Sequence, residues 1–531
     1  MASTEYWAEL PMQRDQRALF APTLEAMIGA DDPVRLVDEV LAGLDWSAWE
    51  AEYERKRGQP PIHPRHLAAA YLYGLSRGIR SSRDVEEACC YRVDFMWLVH
   101  GLQLDHTTVA KFRTRFAPQL KDLFRQVCKV AMHLGLVRLN EVAFDGTRVK
   151  ANNSRFQTRT AATLEEKLAA VDAQFEQMQA EWDAAEEQLT LDGPSESPTK
   201  LPEPLAELDE RRKKIAVALA KARAGDAARR KEGVNPEENP AQVPTVDPDS
   251  RVMPNKEGGY APNYTPTATT DGANGFVVDC EVLGEVNESS QAVPSVERIE
   301  ENLGRKPERF LTDGGNNSGA VQQAMEDLGV EFYAPVESNQ PQAGNPACRA
   351  DPTQPVPESE WPNLPRNNQK RLDKSCFVYD AVQDQYYCPL GQVLPFAEKK
   401  PDLQQGQRVN RRVYRCATCA GCPLLSQCVS PQSKQGRSIS RDEFEVVRER
   451  TAARMRTEEA KDIYNRRPGI AETTFGILKA VFGLRQFLLR GLEKVRMEWR
   501  WAATAFNLIK LVRHVARLRA EFARLAAETE S

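Results

Sequence analysis

The chain has 531 residues and a mass of 59.6 kDa, which is enough for about three or four domains. Apolar residues make up 41% of it and charged residues 28%, so the composition supports hydrophobic cores and excludes a wholly disordered chain. It has no run of about 18 apolar residues and no signal-peptide pattern at its N-terminus, so we expect a cytoplasmic protein without a membrane span.

The net charge of −5 hides an uneven distribution along the chain. Residues 161–250 carry 20 acidic and 11 basic side chains, a net charge of −9. Residues 461–520 carry 4 acidic and 13 basic side chains, a net charge of +9. Because a phosphate backbone responds to the local field and not to the sum, the basic C-terminal segment is a candidate for contact with nucleic acid.

Residues 1–135 are predicted to form a helical domain. Asp32 followed by Pro33 is typical of a helix start, with a capping side chain and a proline in the first turn. Further helix starts are indicated at Pro64, Ser81 and Asp105. The last of these helices carries the basic residues Lys111, Arg113 and Arg115. Two interpretations stay open, a helix-turn-helix DNA reader and a helical bundle with a solvated basic face.

Two short apolar runs farther along the chain each end in an aspartate followed by glycine. Val142–Phe144 predicts a strand that ends at Asp145, and Arg309–Thr312 predicts one that ends at Asp313. Further elements are predicted as strands at 264–270, 276–283 and 330–336, and as helices at about 291–303 and 319–328. The α/β core that they form is predicted to comprise residues 136–160 and 250–337.

Two heptad-patterned helices interrupt this core within residues 161–249. Apolar side chains recur at intervals of four and three from Leu164 to Trp182, and again, with Arg212 at one of the positions, from Leu205 to Ala222. Between them, residues 192–198 have the composition of a loop. The pattern predicts an antiparallel helical hairpin that is followed by a linker.

Seven of the eleven cysteines lie between residues 348 and 428, within a predicted loop-rich insertion over 338–440. The spacing C-x2-C-x2-C-x5-C is formed by Cys416, Cys419, Cys422 and Cys428. In a reducing cytoplasm, such close spacing favours a bound metal over disulfides. Zinc is the first candidate, while an iron–sulfur cluster and reduced free cysteines stay open.

A third carboxylate, Glu472, lies in the basic C-terminal region. Three converging carboxylates would suit a pair of Mg2+ ions, which prefer oxygen ligands and support phosphoryl transfer. Glu472 and Lys479 are seven residues apart and therefore share one helix face, an arrangement that suits a nucleic-acid enzyme. The alternative is an ordinary amphipathic helix whose polar face includes both side chains.

One run of this chain contains Tyr464, Arg467, Glu472 and Lys479. It resembles the signature around the third acid of DDE transposases from bacterial insertion sequences. Four residues separate Arg467 from Glu472, where many relatives have three. The segments that resemble the family's first and second acids are Val142–Thr147 and Phe310–Gly315. The segments that resemble one subgroup of the family are Arg57–Pro64, Tyr73–Arg83, Asp105–Arg113, Tyr387–Gly391 and Cys419–Cys428.

The resemblance implies an α/β fold with an RNase H-like mixed sheet core behind the all-α N-terminal domain. It also implies that the cysteine segment is an insertion in this core. Residues 441–531 would be C-terminal helices that complete the core and carry the third acid. The heptad hairpin lies outside the resemblance.

The implied activity is that of a DNA transposase, with metal-dependent DNA strand cleavage and strand transfer at the ends of an insertion sequence. The implied catalytic residues, which would hold two Mg2+ (or Mn2+) ions, are Asp145, Asp313 and Glu472. The implied DNA-binding residues are Tyr464, Arg467 and Lys479. The implied ligands of a structural zinc ion are Cys388, Cys419, Cys422 and Cys428, with Cys416 as an alternate. The implied assembly is a homodimer on DNA, at the bacterial nucleoid.

Three other functions stay open at this point. A metal-dependent nuclease would cut DNA without joining it, and an assay for joined product separates it from a transposase. A DNA-binding protein derived from a transposase would have lost the chemistry, although all three acids are present. In a structural protein built on the heptad helices, mutation of the three acids would leave any phenotype unchanged.

Overall fold

The computed structural model describes residues 23–53, 60–190, 203–231, 233–255, 258–284, 288–335, 344–404, 407–431 and 436–530. They divide into two compact units. The helical unit comprises residues 1–133, 149–263 and 476–531, and the core unit comprises residues 134–148 and 264–475. The predicted loop at 192–198 and residues 57–59 of the N-terminal resemblance lie outside the described residues.

The core unit is built around one mixed sheet. The strands of this sheet in the core unit are, in chain order, β1 (Glu141–Gly146), β2 (Tyr260–Asp271), β3 (Val277–Leu283), β4 (Arg309–Leu311) and β5 (Glu331–Tyr333). The short strands Val149–Lys150 and Arg251–Pro254 also pair with β2 in the same sheet. The spatial order is β3-β2-β1-β4-β5, and β2 is antiparallel to both of its neighbours. β4 runs parallel to β1, and β5 runs parallel to β4. The predicted mixed α/β class is therefore confirmed.

The register of β1 against β4 decides where the two aspartates lie. Ala143 of β1 pairs with Leu311 of β4, and the two strands are parallel. Asp145 and Asp313 each come two residues after this pair, so they lie at the same edge of the sheet. The side chains of Val142–Phe144 are fully buried, as expected for a central strand that is covered on both faces. β3 also ends at this edge of the sheet, because two successive antiparallel pairings bring it back to the direction of β1.

Helices pack on the core sheet through one polar network and one apolar cluster. They are Ala292–Leu303, Gly319–Asp327, Glu445–Met455, Glu458–Asn465 and the first part of Arg467–Ala480. Arg298 donates two hydrogen bonds, of 2.9 and 2.7 Å, to the buried carboxylate of Asp279 on β3. Ile463 and Ala471 pack against Ala143 of β1 in a shared apolar cluster, which holds the last two helices on the sheet.

The cysteine segment contains more regular structure than the sequence predicts. It forms a five-stranded antiparallel sheet from Val378–Asp380, Gln385–Tyr387, Val393–Gln404, Gln407–Arg415 and Ser438–Arg441. Leu394 and Tyr414 are fully buried in an apolar core that also includes Cys376 and Cys416. The expectation of a loop-rich insertion was wrong here because strands with frequent charged and polar residues give little periodic apolar signal.

The helical unit is a bundle of helices. They are Leu24–Met27, Pro33–Ala42, Ser47–Glu50, Pro64–Ser76, Ser82–Tyr91, Val93–Leu98, His106–Arg115, Ala117–His133 and Leu492–Glu530. The predicted caps are present, since Asp32, Ser81 and Asp105 each accept a hydrogen bond from a backbone N–H of the first turn. Arg113 is buried and donates to the carbonyl of Arg80 at 3.2 Å, so it does not contribute to an exposed basic face. None of the described helices combines the length and apolar composition that a membrane crossing requires.

The C-terminal helix Leu492–Glu530 packs with the N-terminal helices, whereas the sequence predicts that residues 441–531 complete the core. Its Trp501 ring lies 6.0 Å from Trp49 and 5.4 Å from Tyr71, measured between ring centroids. The Trp501 Nε1–H also donates to the carbonyl of Arg113 at 3.1 Å. A periodic apolar face indicates that a helix is covered on that side, but it does not indicate which part of the chain covers it.

The helical unit also contains two long antiparallel helices, Ala161–Thr190 and Glu203–Lys231. Two ion pairs connect these helices, with 2.8 Å between Nη2 of Arg223 and Oε1 of Glu165, and 2.6 Å between Nε of Arg212 and Oδ1 of Asp172. At the base, Leu164, Ala218 and Ala222 are fully buried against Val243. Val243 belongs to the short strand Val243–Pro244. The helical unit also contains the short strands Val149–Lys150, Thr158–Arg159 and Arg251–Pro254.

Removing the far part of this hairpin should leave the protein folded. We expect a variant in which residues 176–208 are replaced by a short Gly/Ser turn to keep its thermal unfolding midpoint within about 4 °C of wild type. The reason is that the buried base of the hairpin stays intact in this variant. Calorimetry or circular dichroism measures the midpoint.

The matched control is deletion of the whole hairpin, residues 161–230. It uncovers Val243 and should lower the midpoint by at least about 8 °C, since several buried apolar side chains are lost. Equal destabilisation by the two deletions would contradict this account of where the hairpin is anchored.

Candidate active site

Asp145 and Asp313 lie together at the edge of the core sheet where β1, β3 and β4 end. Asp145 closes β1, and its Oδ1 accepts a hydrogen bond from the backbone N–H of Gly146 at 3.0 Å. Asp313 follows β4 and caps a short turn, where its Oδ1 accepts from the N–H of Gly315 at 3.0 Å. Both carboxylates are only partly buried, so they are held in place yet accessible.

A third carboxylate, that of Glu288, joins them. One oxygen from each of Asp145, Glu288 and Asp313 lies within 4.8 Å of the other two. Glu288 stands between β3 and the helix Ala292–Leu303, and sequence reasoning missed it because no motif surrounds it. The strand pairings bring it there, because β3 ends at the same edge of the sheet as β1 and β4.

Gly146 makes room for Glu288. A Cβ atom built at Gly146 would lie 1.5 Å from Oε2 of Glu288, far inside any real contact distance. The pair Asp145–Gly146 thus supplies one carboxylate and leaves space for a second, and a side chain at residue 146 would displace the flexible end of Glu288 from this position.

The carboxylates repel one another. Burial and then the charges of Asp313 and Asp145 raise the pKa of Glu288, and the opposing charges of Arg467 and Arg148 leave it at about 7. Arg467 also forms an ion pair with Asp145, with 3.1 Å between Nη2 and Oδ1. The cluster remains short of positive charge, which is the condition under which a cation binds.

Arg467 and Tyr464 approach this cluster from the neighbouring helices. Arg467 begins the helix Arg467–Ala480, which we name the signature helix. Its Nε is buried and finds no hydrogen-bond partner within the part of the chain that the structure describes. Burial raises the pKa of Tyr464, and the charges of Arg467, Asp313 and Asp145 act on its hydroxyl as well. Two of the residues predicted to contact DNA thus lie beside the aspartates.

Glu472 lies on the exposed side of the signature helix and is not a member of the carboxylate group. Ala471 and Thr474 face the sheet, where the hydroxyl of Thr474 lies 3.2 Å from that of Thr270. At 3.6 residues per turn, Glu472 points roughly 140° away from Arg467 around the helix axis. The structure therefore brings Asp145 and Asp313 together, while the convergence of Glu472 with them stays a prediction.

The cysteines of the predicted zinc site line one small cavity of about 30 Å³, which has room for a single ion or water molecule. They are Cys388, Cys416, Cys419, Cys422 and Cys428. The backbone N–H of Arg437 points to the sulfur of Cys419 at 3.4 Å, and burial raises the pKa of the Cys428 thiol to about 12. Among the described residues, the groups of three ligand atoms within 4.8 Å of one another contain no cysteine, so the zinc site stays a prediction.

Two parts of the chain match known transposase families. Residues 387–512 match the family described as Transposase DDE domain, and residues 22–115 match a family described as Transposase domain. The first match includes the signature helix, and the second covers the N-terminal helices of the helical unit. Among curated proteins, no sequence matches the chain.

Similar solved structures are complexes of the Mos1 transposase. The paired-end complex with the left transposon end aligns at 9% identity with a TM-score of 0.15, over 59% of this chain and 78% of that chain. The Mos1 strand transfer complex aligns at 10% identity with a TM-score of 0.14, over 59% of this chain and 77% of that chain. The assignment of the family rests on the two domain matches. Together, the matches over residues 22–115 and 387–512 support a DDE transposase of an insertion sequence.

Proposed function

We propose that this transposase, built on an RNase H-like core, cleaves DNA at the ends of an insertion sequence and joins the freed ends to target DNA. The observation that carries the proposal is the meeting of Asp145 and Asp313 at one edge of the core sheet, with Arg467 beside them. The strand order β3-β2-β1-β4-β5, in which β2 is antiparallel to its neighbours, supports the assignment of the core.

The reaction is two exchanges of one P–O bond for another. In the first, a water oxygen attacks the phosphorus at the end of the element, and the DNA 3′ oxygen leaves as a hydroxyl. In the second, that 3′-hydroxyl attacks a phosphodiester of the target, and a target 3′ oxygen leaves. No high-energy cofactor is consumed, so the protein has to bind, orient and stabilise charge.

DDE transposases use divalent metal ions, and the donor set here fits Mg2+ or Mn2+. The grouped side chains offer carboxylate oxygens, which these hard cations prefer, and the cradle at Gly146 keeps the oxygens close together. We assign Asp145, Asp313 and Glu472 as the ligands, the last from its place in the family signature. The metal held there would supply activation of the attacking oxygen and charge stabilisation of the leaving one.

The basic residues of the signature helix and its neighbour would hold the DNA backbone. Arg467 carries a guanidinium that forms charge-assisted hydrogen bonds with phosphate oxygens, and Tyr464 lies near enough to add one from its hydroxyl. Lys479, in the last turn of the helix, would contact a phosphate farther along the strand. Because two element ends have to be joined to one target, we propose that a homodimer acts on DNA.

A cleavage and joining assay tests this proposal. With Mg2+ or Mn2+ and DNA that carries the element end, wild-type protein should yield both a nicked product and a joined product. Asp145→Asn, Asp313→Asn and Glu472→Gln should each lower both by at least about 100-fold, because each removes a charge from the metal site. Asp327→Asn, an exposed acid on the helix Gly319–Asp327, is the matched control and should keep full activity.

The outcomes separate the competing functions. Nicked DNA without joined product would indicate a nuclease, and DNA binding without either product would indicate a binding protein that has lost the chemistry. Full activity of Asp145→Asn would refute the assignment of the site.

Lys479→Ala should weaken binding of every DNA sequence alike. The logarithm of affinity plotted against the logarithm of salt concentration should lose about one unit of slope, because one fewer counterion is released. Glu472→Gln should do the reverse, sparing affinity while abolishing cleavage. Fluorescence anisotropy at several salt concentrations measures both variants.

Lys461→Ala is the matched control for this experiment, since Lys461 already pairs with Glu458 at 2.7 Å. Its salt slope should equal that of wild type. A wild-type slope for Lys479→Ala would show that Lys479 is a solvated surface charge.

We propose a structural zinc ion in the cysteine cavity as a second feature of this protein. Several thiols line one cavity of ionic size, and the N–H of Arg437 points to the sulfur of Cys419, as thiolate ligands require. The ligands we assign are Cys388, Cys419, Cys422 and Cys428, with Cys416 as the alternate. The ion would stabilise the insertion in addition to its apolar core.

Metal analysis of the purified protein tests the zinc site. We expect about one zinc per chain in wild type, less than about one tenth of that in Cys422→Ser, and a lower unfolding midpoint after chelation. Cys348→Ser is the matched control, because Cys348 is exposed and lies in the same segment outside the cavity. Iron and sulfide would indicate a cluster instead, and metal-free wild type would indicate reduced cysteines.

A further inference from the structure

Glu288 has no role in the family signature, yet its side chain is the one that lies beside the two aspartates. Its carboxylate is within 4.8 Å of those of Asp145 and Asp313, and it is partly buried. Glu472, which the signature assigns as the third acid, is exposed on its helix and outside this group. The structure thus places a different acid at the site.

We propose that Glu288 is a ligand of the divalent cation, and that it holds the ion together with Asp145 and Asp313 before DNA binds. This inference rests on the proposed function, because it concerns the same metal site. It adds a fourth acid to that site and assigns it to the DNA-free state.

The steric fit at Gly146 is the first support. The Glu288 carboxylate occupies the space that any side chain at residue 146 would fill, at 1.5 Å from a Cβ placed there. Residue 146, at the end of a central strand, is a glycine and has no Cβ. The space this leaves lets one more carboxylate oxygen reach the metal site.

The charge arrangement is the second support. Arg467 forms its ion pair with Asp145, leaving the other two carboxylates without a described salt-bridge partner of their own. Three oxygens from three different chain segments converge, as a cation with oxygen ligands requires. A bound cation would remove the repulsion, which burial of the group makes more costly.

Binding of Mn2+ to the full-length protein without DNA tests the inference. Electron paramagnetic resonance of free Mn2+ gives the affinity, and no catalytic turnover is needed. We expect Glu288→Gln to bind Mn2+ at least about ten-fold more weakly than wild type. We expect Glu472→Gln to stay within about two-fold of wild type, and likewise Glu297→Gln, an exposed glutamate on the following helix that serves as the matched control.

Thermal unfolding gives a second readout. Without metal, Glu288→Gln should unfold at the wild-type temperature or above it, because one of three repelling charges is gone. At one Mn2+ concentration, the midpoint of wild type and of Glu472→Gln should rise by more than that of Glu288→Gln. Should Glu288→Gln fail to fold, Glu288→Asp keeps the charge, withdraws the oxygens by one methylene and should also weaken Mn2+ binding.

The results that overturn the inference differ from those that overturn the proposed function. Wild-type Mn2+ affinity in Glu288→Gln, or an equal loss in Glu472→Gln, refutes the role of Glu288 while leaving the aspartates as ligands. Wild-type affinity in both Asp145→Asn and Asp313→Asn refutes the metal site itself, and with it the proposed function.

Discussion

The parallel pairing of β1 with β4 is the constraint on which the active site depends. It involves three matched residue pairs, and it fixes Asp145 and Asp313 at one edge of the sheet. Two like charges at about 5 Å repel by roughly 3 kcal/mol at an effective dielectric constant of about 20, so the arrangement costs stability. The ion pair of Arg467 with Asp145 offsets part of this cost. Burial of the apolar side chains of Val142–Phe144 and their neighbours stabilises the central strand against the rest of this repulsion.

The same constraint explains how the chain accepts long insertions. The two long helices and the cysteine segment both lie between elements that carry acids, yet the pairing of the core strands is unbroken. Loop-closure entropy grows only slowly with length, so an insertion that packs internally adds little to the cost of closing the core. Each insertion supplies its own apolar cluster: Leu164 and Ala222 in the helical hairpin, and Leu394 and Tyr414 in the cysteine segment.

The signature helix connects the chemistry to the rest of the fold. Ala471 and Thr474 fix it on the sheet, and this placement brings Arg467 to Asp145. The same placement leaves Glu472 on the exposed side of the helix, while Glu288 lies with the two aspartates.

The sequence by itself determined the local features of this protein. The helix caps at Asp32, Ser81 and Asp105 depend on neighbouring residues, and so do the strand ends at Asp145 and Asp313, so short patterns predict them. The tertiary structure alone decided that Glu288 reaches the aspartates, because that contact depends on which edge of the sheet β3 returns to. It also decided that Trp501 packs on Trp49, since an apolar helix face does not specify its partner. Contacts between residues far apart in sequence follow from strand pairing and packing, and no local pattern encodes them.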